Sequence, residues 1–415
     1  MSWKRVGIGV AIGVLALVAA GGVYYVVKQR QAADVRGSST VEFVPTTPPV
    51  VKPKEPGVAW QAYGYDPERL HFAPYRLRPP FRRVWTYRAQ SLVEFPPVVA
   101  FGRLYFAAND GDVIAINAAT GKRAWRVPSG RCQASSPAVS GRLVFVTFMN
   151  KPPCNRRSPR GIDGRLIAYY AGSGAVRWQK TIGPSESSPV VQDGYVYVAD
   201  WTGRVWSFVA GSGRLRWVAK VGSQIKGAPT VSGNRLYVGD YSGHLYALKL
   251  RTGKVIWRGS SQARLGGRGN FYSTPAAAYG RVYVGSTDGK MYSFGATTGK
   301  VRWSHGTGGY VYSSPAVWDG RVYFGSYSGR FYCLDAATGD VKWQFDAKGQ
   351  ISGSPTVLDG VVYFATLKQQ TFALNARTGK GLWWFADGKY SPVVADAKRL
   401  YLVGYARVYG LVEKR

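Results

Sequence analysis

Short apolar runs alternate with glycine-containing turns along most of this chain. The stretch from Ser313 to Trp343 reads SSPAVWDGRVYFGSYSGRFYCLDAATGDVKW. Pro315 opens a short apolar strand, Ala316-Val317. Asp319-Gly320 is a hairpin dipeptide, because glycine supplies the positive φ such turns need. Val322 to Gly325 predicts a second strand, Phe331 to Leu334 a third and Val341 to Trp343 a fourth. Ser328-Gly329 and Thr338-Gly339 supply the turns between them. Four antiparallel strands in about forty residues make one propeller blade.

The phrase recurs. Trp85, Trp125, Trp178, Trp217, Trp257, Trp303, Trp343 and Trp383 each end a copy, and the successive steps, by subtraction, are 40, 53, 39, 40, 46, 40 and 40. A period near forty with strand-like content predicts an array of repeats. First strands begin at Pro97, Pro137, Pro189, Pro229, Pro275, Pro315, Pro355 and Pro392. A small residue stands ten positions before seven of the tryptophans: Ala115, Ala168, Ser207, Ala247, Ser293, Cys333 and Ala373. An indole needs a short neighbour, so these tryptophans are expected as joints between sheets rather than ligand platforms.

The last copy stops after three strands, with Gly410 in the small-residue position. Trp85 precedes the first copy without a partner of its own. The economical arrangement is an all-β, eight-bladed propeller over residues 59–415, closed by the strand around Trp85. A seven-bladed ring with frayed ends is the alternative. Closure removes exposed sheet edges.

Two repeats are long. One insertion is Met149 to Asp163, MNKPPCNRRSPRGID; the other is Ser260 to Tyr272, SSQARLGGRGNFY. In a propeller both loop types emerge on the same face, and insertions on a rigid scaffold are where function concentrates. Lys151, Arg156, Arg157, Arg160, Arg264, Arg268 and Phe271 are therefore the candidate contacts. Arginines here suit phosphates or carboxylates. Cys132 and Cys154 fall on the same face around one blade, so a disulfide pinning the larger insertion is expected, together with an oxidising compartment. Cys333 is expected as a buried free thiol. No CxxC pair occurs, and His71, His244 and His305 lie far apart in sequence, which argues against a metal centre.

Val6 to Val27 carries no charge and is mostly apolar. As a helix it would reach roughly 33 Å, enough to cross a hydrocarbon core of about 30 Å. Residues 1–30 are expected as an uncleaved signal anchor, with a cleaved signal peptide as the rival. Residues 31–58 carry Pro45, Pro48, Pro49, Pro53 and Pro56 and predict a semi-rigid tether. The formal charge of +33 favours anionic surfaces.

The repeats resemble the pyrroloquinoline-quinone (PQQ) propeller family, with Ala-x-Asn-x-x-Thr-Gly-Lys-x-x-Trp at Ala115 to Trp125. Trp60-Gln-Ala-Tyr63-Gly64-Tyr-Asp66, followed by Arg69, resembles the lead-in of quinoprotein propellers. One branch of that family comprises dehydrogenases that hold quinone and calcium at the ring centre. Another comprises catalytically silent scaffolds similar to BamB. The adjacent-cysteine disulfide of the enzymes is absent here, and no residue can be matched to their catalytic or calcium-binding acids. The scaffold branch fits better, although its lipid-anchor cysteine is absent here. Together with the apolar leader, the tether and the basic insertions it gives the expectation of a non-enzymatic, membrane-anchored scaffold on the extracytoplasmic side of the cell membrane. It would bind an envelope protein or an anionic polymer, with no cofactor expected and nucleic acid not expected as a partner. The alternative is a PQQ-dependent dehydrogenase with calcium.

Overall fold

The computed structural model describes residues 14, 17–27, 32–45, 55–154, 163–264, 267–390 and 393–414. Eight blades of four antiparallel strands follow one another around an axis. Blades 1 to 7 span residues 98–128, 138–182, 190–220, 230–260, 276–306, 316–346 and 356–385. Blade 8 takes its three inner strands from residues 394–413 and its outer strand from Phe81–Arg88. Blade 6 is representative: Ala316–Trp318, Arg321–Gly325, Arg330–Asp335 and Val341–Asp346, ordered from axis to rim. Its first turn has φ of 50° at Asp319 and 68° at Gly320, the left-handed geometry of a two-residue hairpin.

Ring closure follows the sequence pattern. Trp85 pairs with Gly410, as Trp125 pairs with Ala115 and Trp343 with Cys333. Each indole also reaches the next blade. Trp85 Nε1 donates to the Ala118 carbonyl at 3.2 Å, and Trp178 Nε1 donates to the Ala210 carbonyl at 2.8 Å. The ring lies on the turn glycine of that neighbour: a Cβ at Gly121 would stand 2.7 Å from Trp85. Small residues are thus required on both sides of the joint. Cys333 is buried and unpaired, and burial pushes its thiol up to about 12.

The axis is filled by the segment just before the ring. Val58–Trp60 pairs with the inner strand of blade 1. The carbonyls of Gln61, Pro67, Glu68, Leu70 and His71 then accept hydrogen bonds from Val139, Val231, Ala277, Val317 and Val357, one in each of blades 2, 4, 5, 6 and 7. The buried Arg69 guanidinium reaches the carbonyls of Ser188, Pro189 and Pro229 at 3.0–3.1 Å. The stretch that resembles a quinoprotein lead-in is therefore the hub that satisfies inner-strand backbone groups.

Around this hub, hydroxyls link adjacent blades. Ser136 N donates to Ser188 Oγ, Ala228 N to Thr274 Oγ1, Thr274 N to Ser314 Oγ and Ser314 N to Ser354 Oγ, at 2.8–3.0 Å. Each of these residues immediately precedes a first-strand proline. Ala228 has no hydroxyl to receive the blade 3 backbone, and Arg69 bridges that junction.

Two features differ from expectation at the N terminus. Residues 17–27 are helical and exposed, and among the described residues no helix is long and apolar enough to cross a membrane. Much of the expected span, residues 6–13, lies outside the described residues. Residues 32–45, expected as part of a spacer, pack along the rim of blades 5 and 6.

Candidate functional site

Strand alternation sends the tight first and third turns of each blade to one face of the disc. The second-to-third-strand loops and the blade-to-blade loops rise on the other. Both insertions belong to this second face, one in blade 2 and one between blades 4 and 5. At its centre the blade-to-blade loops surround a well lined by Glu94, Glu186, Lys226, Tyr272, Tyr312 and Tyr390. Tyr63 of the hub forms its floor, with its hydroxyl 3.1 Å from Ser314 Oγ and 2.6 Å from Ser354 Oγ.

The well combines buried carboxylates with a caged cation. Lys226 Nζ lies 3.3 Å from Glu186 Oε1, with side chains 21% and 13% exposed. The same ammonium stands 4.9 Å from the Trp201 ring, 5.5 Å from Tyr241 and 5.8 Å from Tyr272. Cation–π attraction and the carboxylate hold it in one place. Glu94 accepts from Asn109 Nδ2 at 3.3 Å. Burial raises the pKa of Glu94 and of Glu186, while Lys226 opposes the rise in both. Burial also carries the Tyr272 phenol well above its ordinary range. Edge-on tyrosines continue outward: Tyr272 to Tyr312 at 5.0 Å and Tyr312 to Tyr327 at 4.9 Å. Tyr310 beside them is half exposed.

Other acids on this face serve the backbone. Asp200 accepts from Gly183 N, Thr202 N and Trp206 Nε1 at 2.7–2.9 Å. Asp240 does the same for Ser223, Ser242 and His244 at 2.8–3.0 Å. These contacts fix the loops from which Glu186 and Lys226 project.

The candidate contacts named from sequence divide into four groups. Lys151 and Arg268 are exposed on the second face. Arg268 donates to the Ser261 carbonyl, bracing its own loop. Arg156, Arg157 and Arg160 lie outside the described residues. Arg264 ends the first strand of a small hairpin, Ala263–Arg264 with Gly267–Arg268. Phe271 is a correction: it is fully buried, 5.9 Å from both Tyr292 and Phe294, and packs where any side chain at Gly239 would stand. An aromatic at the end of a basic loop reads as exposed, but here it anchors the loop to the core. Cys132 and Cys154 are joined, with Cα atoms 5.4 Å apart. Arg131 reinforces the base of that insertion by donating to the Met149 carbonyl at 3.2 Å and to the Asp163 carbonyl.

Glu94, Glu186 and Lys226 were not legible as a set. They are separated by 92 and 40 positions in sequence. The usable signal is positional: each falls in the loop between a fourth strand and the next first-strand proline.

The well does not fit a quinone. Its open volume is about 60 Å³, room for a few waters and far too little for a fused-ring cofactor. Beneath it the axis is occupied by Tyr63, Arg69 and His71. Nor do its acids fit calcium, because an ammonium already stands against Glu186. Among the described residues no cluster of three His, Cys, Asp or Glu could hold a metal ion.

A family model described as outer membrane protein assembly factor BamB matches residues 82–188, 162–310 and 306–409. The BamB of Bordetella pertussis is 30% identical over 98 residues, which is 24% of this chain and 23% of that one. A quinohemoprotein alcohol dehydrogenase of Comamonas testosteroni is 30% identical over 123 residues, 27% of this chain and 17% of the enzyme. The matched stretch thus spans less than a quarter of either relative. Two solved structures share the fold. BamB from Moraxella catarrhalis has a TM-score of 0.65 at 17% identity, over 80% of this chain and 100% of that one. The Comamonas testosteroni enzyme has a TM-score of 0.70 at 16% identity, over 86% and 81%.

Proposed function

Since the chain belongs to the family described as outer membrane protein assembly factor BamB, we propose that it is a non-enzymatic scaffold of the cell envelope. Its working surface is the face that carries the two insertions and the central well, and its partner is an envelope protein. One observation carries this reading: the hub seals the axis from within, leaving a well that opens among the loops of a single face. Carboxylates, an ammonium and tyrosines at its centre suit a protein partner, because interfaces concentrate their energy in a few aromatic and charged anchors. The Cys132–Cys154 bridge fits an oxidising compartment.

The uncharged stretch from Val6 to Val27 supports a membrane anchor, with the propeller on the extracytoplasmic side. No cofactor enters this reading; the small volume of the well and the ammonium beside Glu186 support leaving quinone and calcium out of it.

The test is photo-crosslinking in native membranes from Tyr310 at the well and from Ser212 on the opposite face. Capture of one protein from Tyr310 and not from Ser212 is expected. Equal capture from both positions, or quinone-dependent dye reduction by the purified chain, would overturn the proposal.

A further inference from the structure

Residues 32–45 form a strap with a fixed course. Asp34 pairs with Lys290 at 2.8 Å and accepts from Gly306 N at 3.0 Å. Val35 exchanges two hydrogen bonds of 2.9 Å with Ser304, one through the serine hydroxyl. Gly37 N donates to the Thr338 carbonyl at 3.0 Å and lies so close to Trp303 that a Cβ would collide with the indole. Trp303 is accordingly fully buried, where Trp85, Trp125, Trp178 and Trp217 are each 9% exposed. Arg281 gathers the carbonyls of Ser38, Val41 and Glu42 at 2.5–3.0 Å, and the Glu42 carboxylate meets Arg302. Phe43 packs on Tyr279 at 5.4 Å.

The strap has a direction. Its first residues touch Gln262 of the second insertion and Gly306, at the loop-bearing face. Its last residues touch Tyr279 and Gly280, in a tight turn of the opposite face. The chain therefore leaves the propeller toward its N terminus on the side of the insertions. Helical residue Val27 stands five positions before Ala32, where the strap begins, and no conformation of the chain separates two such positions by more than about 18 Å. Exposed cations ring the same face: Lys151, Arg268, Arg330, Lys348 and Lys368, against exposed Asp34, Asp110 and Asp346.

We infer that the strap holds the insertion-bearing face toward an anionic phospholipid surface in which the N-terminal helix is seated. The inference rests on the anchoring proposed above. It deepens that reading, because the well then looks toward the bilayer and its protein partner is membrane-proximal. Basic side chains near a surface are drawn to anionic headgroups over about a Debye length, and a link of at most about 18 Å leaves the face close enough to the bilayer to come within it.

The experiment uses the full chain reconstituted in phosphatidylcholine vesicles with and without phosphatidylglycerol. A fluorophore is placed on Gln350→Cys, at the loop-bearing face, or on Ser212→Cys, at the opposite one, and energy transfer to a headgroup acceptor is read. Transfer severalfold stronger from position 350 is expected with phosphatidylglycerol. The preference should fall when Arg330, Lys348 and Lys368 are changed to Glu, and when Asp34→Lys and Glu42→Lys release the strap. Excess inorganic phosphate should leave it unchanged. Equal transfer from both positions, loss of the preference with free phosphate, or indifference to both variant sets would overturn the inference. A chain that fails to co-float with vesicles overturns the anchoring as well. Capture of the protein partner from Tyr310 in detergent does not depend on lipid, so its survival separates failure of the orientation from failure of the scaffold reading.

Discussion

Trp85 stands directly opposite Gly410 in the sheet that joins the two ends of the propeller, and the indole leaves no space for a side chain there. A Cβ at Gly410 would sit 2.2 Å from Trp85 Cε2. Gly410→Ala should therefore displace the closing strand and cost about 1–3 kcal/mol, the range for overpacking a dense core. Urea denaturation checks it. Unchanged stability would mean that the ring does not depend on this joint.

The fold was legible because its joints repeat. Trp, turn glycine and a small residue ten positions earlier recur at fixed spacing, and each is a steric requirement of packing one blade on the next. The site was much less legible. Glu186 and Lys226 meet only because blades 2 to 4 turn their loops inward, a relationship no local pattern encodes. The burial of Phe271 has no local signal, because it depends on Gly239 of blade 4, whose missing side chain makes the room. The strap was hidden for a similar reason: its proline-rich continuation suggests a free tether, whereas Asp34 and Glu42 find cations 256 and 260 positions away.

Lys226 neutralises buried acid, so Lys226→Met should cost roughly 1–3 kcal/mol at neutral pH by leaving Glu186 without its charged partner. Glu186 has a pKa raised above its ordinary 4.5. A raised carboxyl favours folding below the unfolded pKa and loses that contribution as pH rises through the folded value. The loss should thus shrink near pH 4, below the ordinary 4.5, where Glu186 is mostly protonated in both states. Denaturation of both proteins at the two pH values reads this directly. A loss independent of pH would remove Glu186 from the account.

The disulfide closes a loop with a sequence separation of 22. Loop-closure entropy for that length is worth about 3 kcal/mol. The double variant Cys132→Ala with Cys154→Ala should unfold at a lower temperature and be clipped faster by protease within residues 149–163. Wild-type digestion kinetics in the variant would show that Arg131 alone secures the insertion.

His71 is fully buried, edge-on to Tyr63 at 4.8 Å and close to Arg69. Burial, helped by the Arg69 charge, pushes its pKa down from 6.5 to about 3, so the folded ring is neutral where the unfolded ring protonates. Between those values the unfolded state binds more protons, and stability must rise with pH. The contribution is complete above about pH 6.5 and is lost as pH falls toward 3, by at most roughly 1.4 kcal/mol per pH unit. Glu94 and Glu186 titrate with the opposite sign, so the histidine is read by difference. His71→Phe keeps a ring in place and removes the titration. The advantage of the native protein over this variant should therefore narrow between about pH 7 and pH 4.5 in urea denaturation. A constant difference across that range would mean that the His71 ring is reached by solvent, and that the hub does not seal the axis.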